Sequence, residues 1–265
     1  MTIRVSHAVF DWLRVPAIGD HCRMTTARLL SVNVATPVAA HWAGDLGRTS
    51  IHKKPVVGPV RAEPMGLQGD QVADTRHHGG VDQAVYAFAR EDLDLWASRL
   101  GGDIPNGGFG ENLTTEGIDL NEALIGDRWR IGTATFEVAS VRIPCNVFKG
   151  WLGAGGYDSK GWLKRFTAEG RPGPYLRVVD SGEVSAGDGL EVVESPDHDV
   201  TVGLMFRALT TQRSLLPRLL AAPALPAGAR RQAERYAEQF GAAQAAVERT
   251  PYGVLHGRSA GQRRR

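Results

Sequence analysis

The chain has only two cysteines in 265 residues, Cys22 and Cys145. A disulfide framework needs several paired cysteines in an oxidising compartment, so none is expected. A structural zinc site takes about four Cys/His ligands at close spacing, and an iron–sulfur cluster takes about four thiolates. This thiol count supports neither. No apolar run is long enough to cross a bilayer. His7, Asp11 and Arg14 also interrupt the stretch where a secretory signal would need its apolar centre. A reducing cytoplasm is therefore the expected setting. Charge of one sign is scarce too: a net +2 leaves the body without the basic footprint of a nucleic-acid binder.

With 42% apolar and 23% charged side chains, the chain has the composition of a globular protein able to bury a sizeable core. Its 32 glycines concentrate between Gly44 and Gly189, where they separate short β-branched runs, as in a body built mainly of strands. Strands are expected at Arg28 to Val34, Arg128 to Ile131, Ala134 to Val141 and Leu190 to Val193. Of the three pairs Gly69-Asp70, Gly126-Asp127 and Gly187-Asp188, the last two launch strands and read as tight turns feeding them. Between them, Glu91 to Leu100 spaces Leu93, Trp96 and Leu100 as one helix face and stops at Gly101-Gly102.

After Ser195 the alternation gives way to leucine- and alanine-rich segments. Asp199 or Thr201 is placed to cap a short helix through Leu209, with further helices at Gln212 to Ala222 and Ala227 to Phe240. Pro217 and the lack of an exposed recognition face argue against a DNA-reading helix-turn-helix. The expected organisation is an extension over 1–23 preceding a start at Met24, a β body over 24–195, a three-helix domain over 196–242, and a basic disordered tail over 243–265.

Cys145 lies just beyond the strand Ala134 to Val141, in Arg142-Ile143-Pro144-Cys145-Asn146. A strand end suits chemistry because the sheet is rigid while the loop beyond it can meet a ligand. Arg142 and Lys149 flank the thiol, and nearby positive charge favours the thiolate as nucleophile or ligand. Acyl transfer would also need a histidine and an oxyanion hole, so the residues leave both roles open. The densest polar cluster elsewhere is Asp74 to Asp82. His77 and His78 are adjacent and cannot both face one metal from a regular strand. Gly79 and Gly80 instead suit a turn that brings backbone N–H groups close to an anion, and Asp82 reads as a structural turn residue. A second turn, Gly107 to Thr115, offers Asn112 as a hydrogen-bond partner and Glu111 as an acid. Lys53 and Lys54 before Pro55, like most of the other basic residues, read as surface cations.

Seven ordered stretches give the chain a resemblance to the MOSC domain family. They are Lys54 to Val60, Gly66 to Asp70, His78 to Tyr86, Phe109 to Leu113, Ile125 to Arg128, Arg142 to Cys145 and Gly182 to Asp188. The helical segment that follows resembles the appendage of the YiiM-type branch. The resemblance implies a β-barrel with a few covering helices. It also implies binding of molybdenum cofactor and reduction of N-hydroxylated compounds, such as hydroxylaminopurines or amidoximes, to amines. Cys145 matches the position expected to ligate molybdenum, and a soft thiolate suits that metal. Arg142 and Lys149 would hold anionic parts of the cofactor, while Lys54 and His78-Gly79-Gly80 would line the pterin-phosphate pocket. Glu111 and Asn112 would touch pterin or substrate. With no flavin or nicotinamide motif, electrons would come from an external flavoprotein or iron–sulfur reductase. A non-catalytic carrier or sensor of the cofactor is the alternative. A link of the wider superfamily to pyridoxal phosphate would need Lys54 as a Schiff-base lysine.

Overall fold

The computed structural model describes residues 27–248, with side chains to residue 240. The expected extension, Met24, Cys22 and the tail beyond residue 248 lie outside the described residues. The first half of the chain supplies β1 (Arg28–Val34), β2 (Val38–Ala39), β3 (Arg48–Thr49), β4 (Lys54–Pro55), β5 (Val60–Glu63) and β6 (Gly66–Leu67). Then come β7 (Val85–Ala89), α1 (Arg90–Leu100) and β8 (Leu113–Glu116). The hairpin β9 (Arg128–Ile131) and β10 (Ala134–Val141) leads into α2 (Asn146–Ala154) and α3 (Trp162–Glu169). β11 (Pro174–Asp180), β12 (Gly182–Val184) and β13 (Leu190–Glu194) complete the strands, and α4 (Val202–Leu209) and α5 (Ala227–Glu248) follow.

Eight strands form one sheet in the order β13-β9-β10-β11-β7-β8-β1-β4. All of its pairings are antiparallel except β7 with β8. The sheet curls, and the start of β1 meets the turn before β13: Leu29 N donates to Asp188 O at 2.8 Å, and Leu190 N to Ala27 O at 2.9 Å. One bridge, Arg28 with Gly189, joins them. The ladder goes no further, because the other half of this edge of β1 is taken by β4 at Asn33 and Val34. The barrel expected from the sequence is therefore an open curled sheet. Strand and helix are nearly balanced, about 27% and 30%, so the fold is mixed and sheet-rich rather than mainly β.

The shift comes from α2 and α3, whose glycine-rich surroundings hide their helical spacing. Phe148 and Leu152 form the buried face of α2, and Trp162 and Phe166 that of α3. Residues four apart share a helix face, which is the signal that was present. These rings join Trp96 of α1 and Phe109 in one aromatic core, with Trp96–Trp162 centroids 4.7 Å apart and Phe109–Phe148 4.9 Å apart. α4 is capped by Thr201, whose Oγ1 accepts from Leu204 N at 3.0 Å. Its Phe206 meets Phe166 edge-on at 6.3 Å, so the first C-terminal helix shares the core of the sheet. The next segment, Arg213–Ala221, is a 3-10 helix with Pro217 inside it, a residue that has no N–H to give to an α-helical ladder.

Two Gly-Asp pairs act as turn locks. Asp127 Oδ2 accepts from Leu124 N at 2.8 Å, and Asp188 Oδ2 accepts from Ser185 N at 2.7 Å. The third differs. Asp70 reaches across to β1 and accepts from Ala35 N at 2.8 Å, which brings a carboxylate beneath the end of β1.

Candidate functional site

A pocket of about 730 Å³, counted to its open mouth, lies where the end of β10, the start of β7 and the loops around residues 44–53 and 70–79 converge. Cys145, Arg142, His78, Gly79 and Asn112 line it together. They come from three separate stretches of sequence, and the sheet is what unites them.

β10 ends at Val141, and Arg142 to Cys145 then turn into α2. Cys145 is the N-cap of this helix, extended at φ −127° and ψ 170°. It is half-buried, and its thiol is free. A side chain at a helix N-terminus lies where the macrodipole favours negative charge. Lys149 lies one turn on, where its N–H donates to Cys145 O at 3.2 Å. Its side chain is exposed and does not line the pocket.

Arg142 is buried. Its guanidinium sits over the rings of Tyr86 and Phe148, each centroid 5.0 Å away. Among the described residues its one side-chain hydrogen bond runs from Nη1 to the Tyr175 hydroxyl at 3.4 Å, and the buried Nε has no partner. A buried cation without a counter-charge is costly. This one faces the pocket and calls for an electron-rich ligand.

Lys53, not Lys54, lines the pocket. Along Ile51-His52-Lys53-Lys54, burial alternates in, out, in, out, and Lys54 in β4 lies opposite Val34 with its side chain in solvent. The same period of two, counted from the apolar Ile51, would have selected Lys53 from the sequence. Its Nζ donates to both oxygens of Asp70, at 2.5 and 2.6 Å. Burial pushes the ammonium pKa down while Asp70 opposes the shift. Asn112 completes the frame. Its Nδ2 donates to Asp70 Oδ2 at 2.9 Å and Asn33 O at 3.2 Å, and its Oδ1 accepts from Tyr86 N at 3.1 Å. Asn112 therefore ties together β1, β7 and the Lys53–Asp70 pair.

His78 is held largely out of water. Burial, and then the charge of Arg142, lowers its pKa to about 4, so the ring is neutral near pH 7. His77 is exposed, and its Nδ1 meets Asp74 Oδ2 at 2.9 Å. Gly79, at φ 84°, lets the backbone turn along the pocket wall. Gly80 lies behind it as the N-cap of the 3-10 turn Val81–Gln83 and does not line the pocket. Asp82 accepts from Arg177 Nε at 2.6 Å, in keeping with a structural turn residue.

Glu111 is fully buried and turned away from the pocket. Its carboxylate accepts from Gly107 N at 2.6 Å, Phe109 N at 3.0 Å and Thr114 Oγ1 at 2.9 Å. Burial raises its pKa, and these bonds to the charged form oppose the rise. The glycine turn at 107–110 is thus held from inside by a carboxylate. Sequence reasoning also passed over Asp70, Tyr86 and Tyr175 as site residues. Asp70 was legible as a Gly-Asp pair that no strand directly follows.

Among the described residues no group of three or more His, Cys, Asp or Glu could hold a metal alone. A metal at Cys145 would have to bring most of its own donors. One free thiol, one unpaired guanidinium and a glycine turn suit a metal carried by an anionic organic cofactor, and these residues fit such a group. Fold and site together define a sheet-rich protein whose pocket sets a free thiol beside a buried, unpaired guanidinium.

The model of the MOSC domain matches residues 74–191. The uncharacterized protein YflK of Bacillus subtilis (strain 168) is 31% identical over 174 residues, covering 66% of this chain and 76% of its own. Protein YiiM of Escherichia coli (strain K12) is 32% identical over 157 residues, 58% of this chain and 67% of that one. A protein named Reductase from Gibberella moniliformis (strain M3125 / FGSC 7600) is 31% identical over 157 residues, 56% of this chain but 26% of the relative. The crystal structure of YiiM from Geobacillus stearothermophilus superposes with a TM-score of 0.65 at 24% identity, over 79% of this chain and 98% of that one, a likeness of fold. The chain belongs to the MOSC domain family, with YiiM-like relatives.

Proposed function

We propose that the chain is a molybdenum-cofactor-binding oxidoreductase of the reducing cytoplasm. It converts N-hydroxylated compounds of the hydroxylaminopurine or amidoxime type to amines, with electrons from a separate flavoprotein or iron–sulfur reductase. The observation that carries this reading is the free Cys145 thiol in one pocket with the unpaired Arg142 guanidinium. A family associated with this cofactor and a relative named Reductase support it.

When bound, the cofactor supplies two-electron redox chemistry that side chains lack. Cys145 would give the metal a soft thiolate donor, and Arg142 would hold an anionic part of the cofactor or the oxygen of the substrate. Lys53 is fixed by Asp70 at the pocket wall and adds a donor-rich, charge-compensated surface. Neutral His78 presents ring nitrogens as donor and acceptor without adding charge. The reaction balances as an N-hydroxy compound plus two electrons and two protons giving an amine and water, the N–O bond breaking and the oxygen leaving as water.

Expression with cofactor supply, followed by metal analysis of wild type beside Cys145→Ser, tests the ligand assignment. The wild type should hold molybdenum and the variant should lose most of it. Equal molybdenum in the two would overturn the assignment. Loaded wild type should turn over hydroxylaminopurine only when a reductase is added. Molybdenum bound without turnover on any N-hydroxylated substrate would instead identify a carrier or sensor.

A further inference from the structure

We infer that Ser50 and Gln83, with Arg142, form a hydrogen-bonding frame for a planar nitrogen heterocycle that presents a ring or amino N–H beside a ring acceptor. That edge is common to pterins and aminopurines. The inference deepens the proposed function, because the choice of these two heterocycles rests on that reading.

Three residues that line the pocket each carry a buried side-chain atom with no partner among the described residues: Ser50 Oγ, Gln83 Oε1 and Arg142 Nε. More than about nine in ten buried polar groups in folded proteins are hydrogen-bonded. Three unpartnered ones around a single pocket therefore point to what that pocket takes. Their chemistry restricts the answer. Arg142 Nε can only donate, the Gln83 carbonyl oxygen can only accept, and the Ser50 hydroxyl can do either. A phosphate or another bare anion would satisfy Arg142 and Ser50 but set lone pairs against Gln83 Oε1. A heterocyclic edge with a donor beside an acceptor satisfies all three.

The remaining walls suit a flat ring. Tyr86 and Tyr175 stand side by side with centroids 5.2 Å apart, and Ile51 and Ala84 add apolar surface. Local structure fixes both new residues. Ser50 follows β3 directly, and Gln83 closes a 3-10 turn in which its N–H donates to Gly80 O at 3.0 Å. Gly80, which does not line the pocket, thus helps to aim a residue that does.

The test measures equilibrium binding of free pterin, of hydroxylaminopurine and of inorganic phosphate, each separately, to the purified full-length chain. Wild type is compared with Ser50→Ala, Gln83→Leu and Gln83→Glu. Losing one net hydrogen bond should weaken binding of at least one heterocycle about 5- to 10-fold in Ser50→Ala and in Gln83→Leu. Phosphate binding should not weaken in Gln83→Leu. Gln83→Glu keeps an acceptor and removes the donor, so it should bind the heterocycle much as wild type does. A loss confined to pterin assigns the frame to the cofactor, and a loss confined to hydroxylaminopurine assigns it to the substrate. Unchanged binding of both heterocycles in Gln83→Leu would overturn the inference, as would Gln83→Glu failing as badly as Gln83→Leu. Molybdenum content of the cofactor-loaded wild type is read in parallel. Its absence with heterocycle binding intact would sink the proposed function and leave this frame standing.

Discussion

Replacing Asp70 with asparagine removes the counter-charge of Lys53 while keeping the size of the side chain and an oxygen for Ala35 N. The two side chains are 9% and 8% exposed, so the ammonium left behind is buried and uncompensated. Removing one partner of a buried pair costs roughly 3–5 kcal/mol. An independent bound agrees. Lys53 can escape the penalty by losing its proton, and for a group with an ordinary pKa near 10.4 that costs about 5 kcal/mol at pH 7. For a protein of this size each kcal/mol moves the melting temperature by about 2–4 °C, so Asp70→Asn should melt roughly 6–20 °C below wild type.

The sign with pH follows from proton counting. Burial already holds the Lys53 pKa below 10.5 in the folded chain, and Asp70→Asn lowers it further. Between the lowered value and 10.5 the unfolded chain binds more protons, so stability rises with pH across that window. The deficit of Asp70→Asn should therefore shrink on moving from pH 7 towards pH 10. Thermal melting followed by circular dichroism at several pH values reads this directly. The double variant Lys53→Met/Asp70→Asn should recover most of the loss, because well-packed apolar replacements of buried pairs are often neutral or stabilising. An Asp70→Asn protein within about 0.5 kcal/mol of wild type at pH 7, the range of an ordinary surface substitution, would refute the reasoning, and so would a deficit that ignores pH.

Three further outcomes are expected. His78 has a folded pKa of about 4 against an ordinary 6.5, so its contribution to stability is present above 6.5 and lost as pH falls towards 4. The loss is at most about 3 kcal/mol, and His78→Asn should flatten that part of the stability–pH curve measured by urea unfolding. Gly107→Ala puts a Cβ 2.5 Å from Lys53 O at a φ of +81°, and it should lower the melting temperature and cost the pocket its ligand, as read by calorimetric titration. Arg142→Met should leave the ligand-free chain as stable as wild type or more so, because it removes a buried unpaired charge. The same variant should lose retention of the anionic cofactor, measured as pterin and molybdenum content.

The range β10 Ala134–Val141 was legible because alternation writes a half-buried strand into the sequence, and β1 Arg28–Val34 and β9 Arg128–Ile131 because short apolar runs bounded by turn residues read as strands. α1 was legible to within one residue, since Leu93, Trp96 and Leu100 share a face and Gly101, at φ 74°, ends it. α2 and α3 were not. Each shows one buried pair four residues apart, with Gly150, Gly153 and Gly161 in or beside them. Those glycines are read locally as turns, whereas Gly150 is there because a Cβ would meet Trp42 O at 2.8 Å. The reason is tertiary, and no local pattern carries it. The open edge of the sheet is of the same kind, because β4 and the turn before β13 divide one edge of β1 between them.

The site divides along the same line. Cys145 and Arg142 stand out in the sequence because a thiol after a strand, one of only two in the chain, needs no partner to be noticed. Ser50 and Gln83 become visible only through what they do not meet across the pocket, and the pairing of Lys53 with Asp70 only through their contact there. Lys53 and Lys54 are chemically identical neighbours, and only the face of the strand separates them: one is buried on Asp70, the other is in solvent. Gly69-Asp70 has the same residues as two turn locks, yet its carboxylate neutralises the pocket lysine. That neutralisation has a consequence for chemistry. With Lys53 paired to Asp70 and His78 uncharged, Arg142 is the buried cation of the pocket left without a carboxylate among the described residues, so the attraction for an anionic group is concentrated beside the thiol at the end of β10.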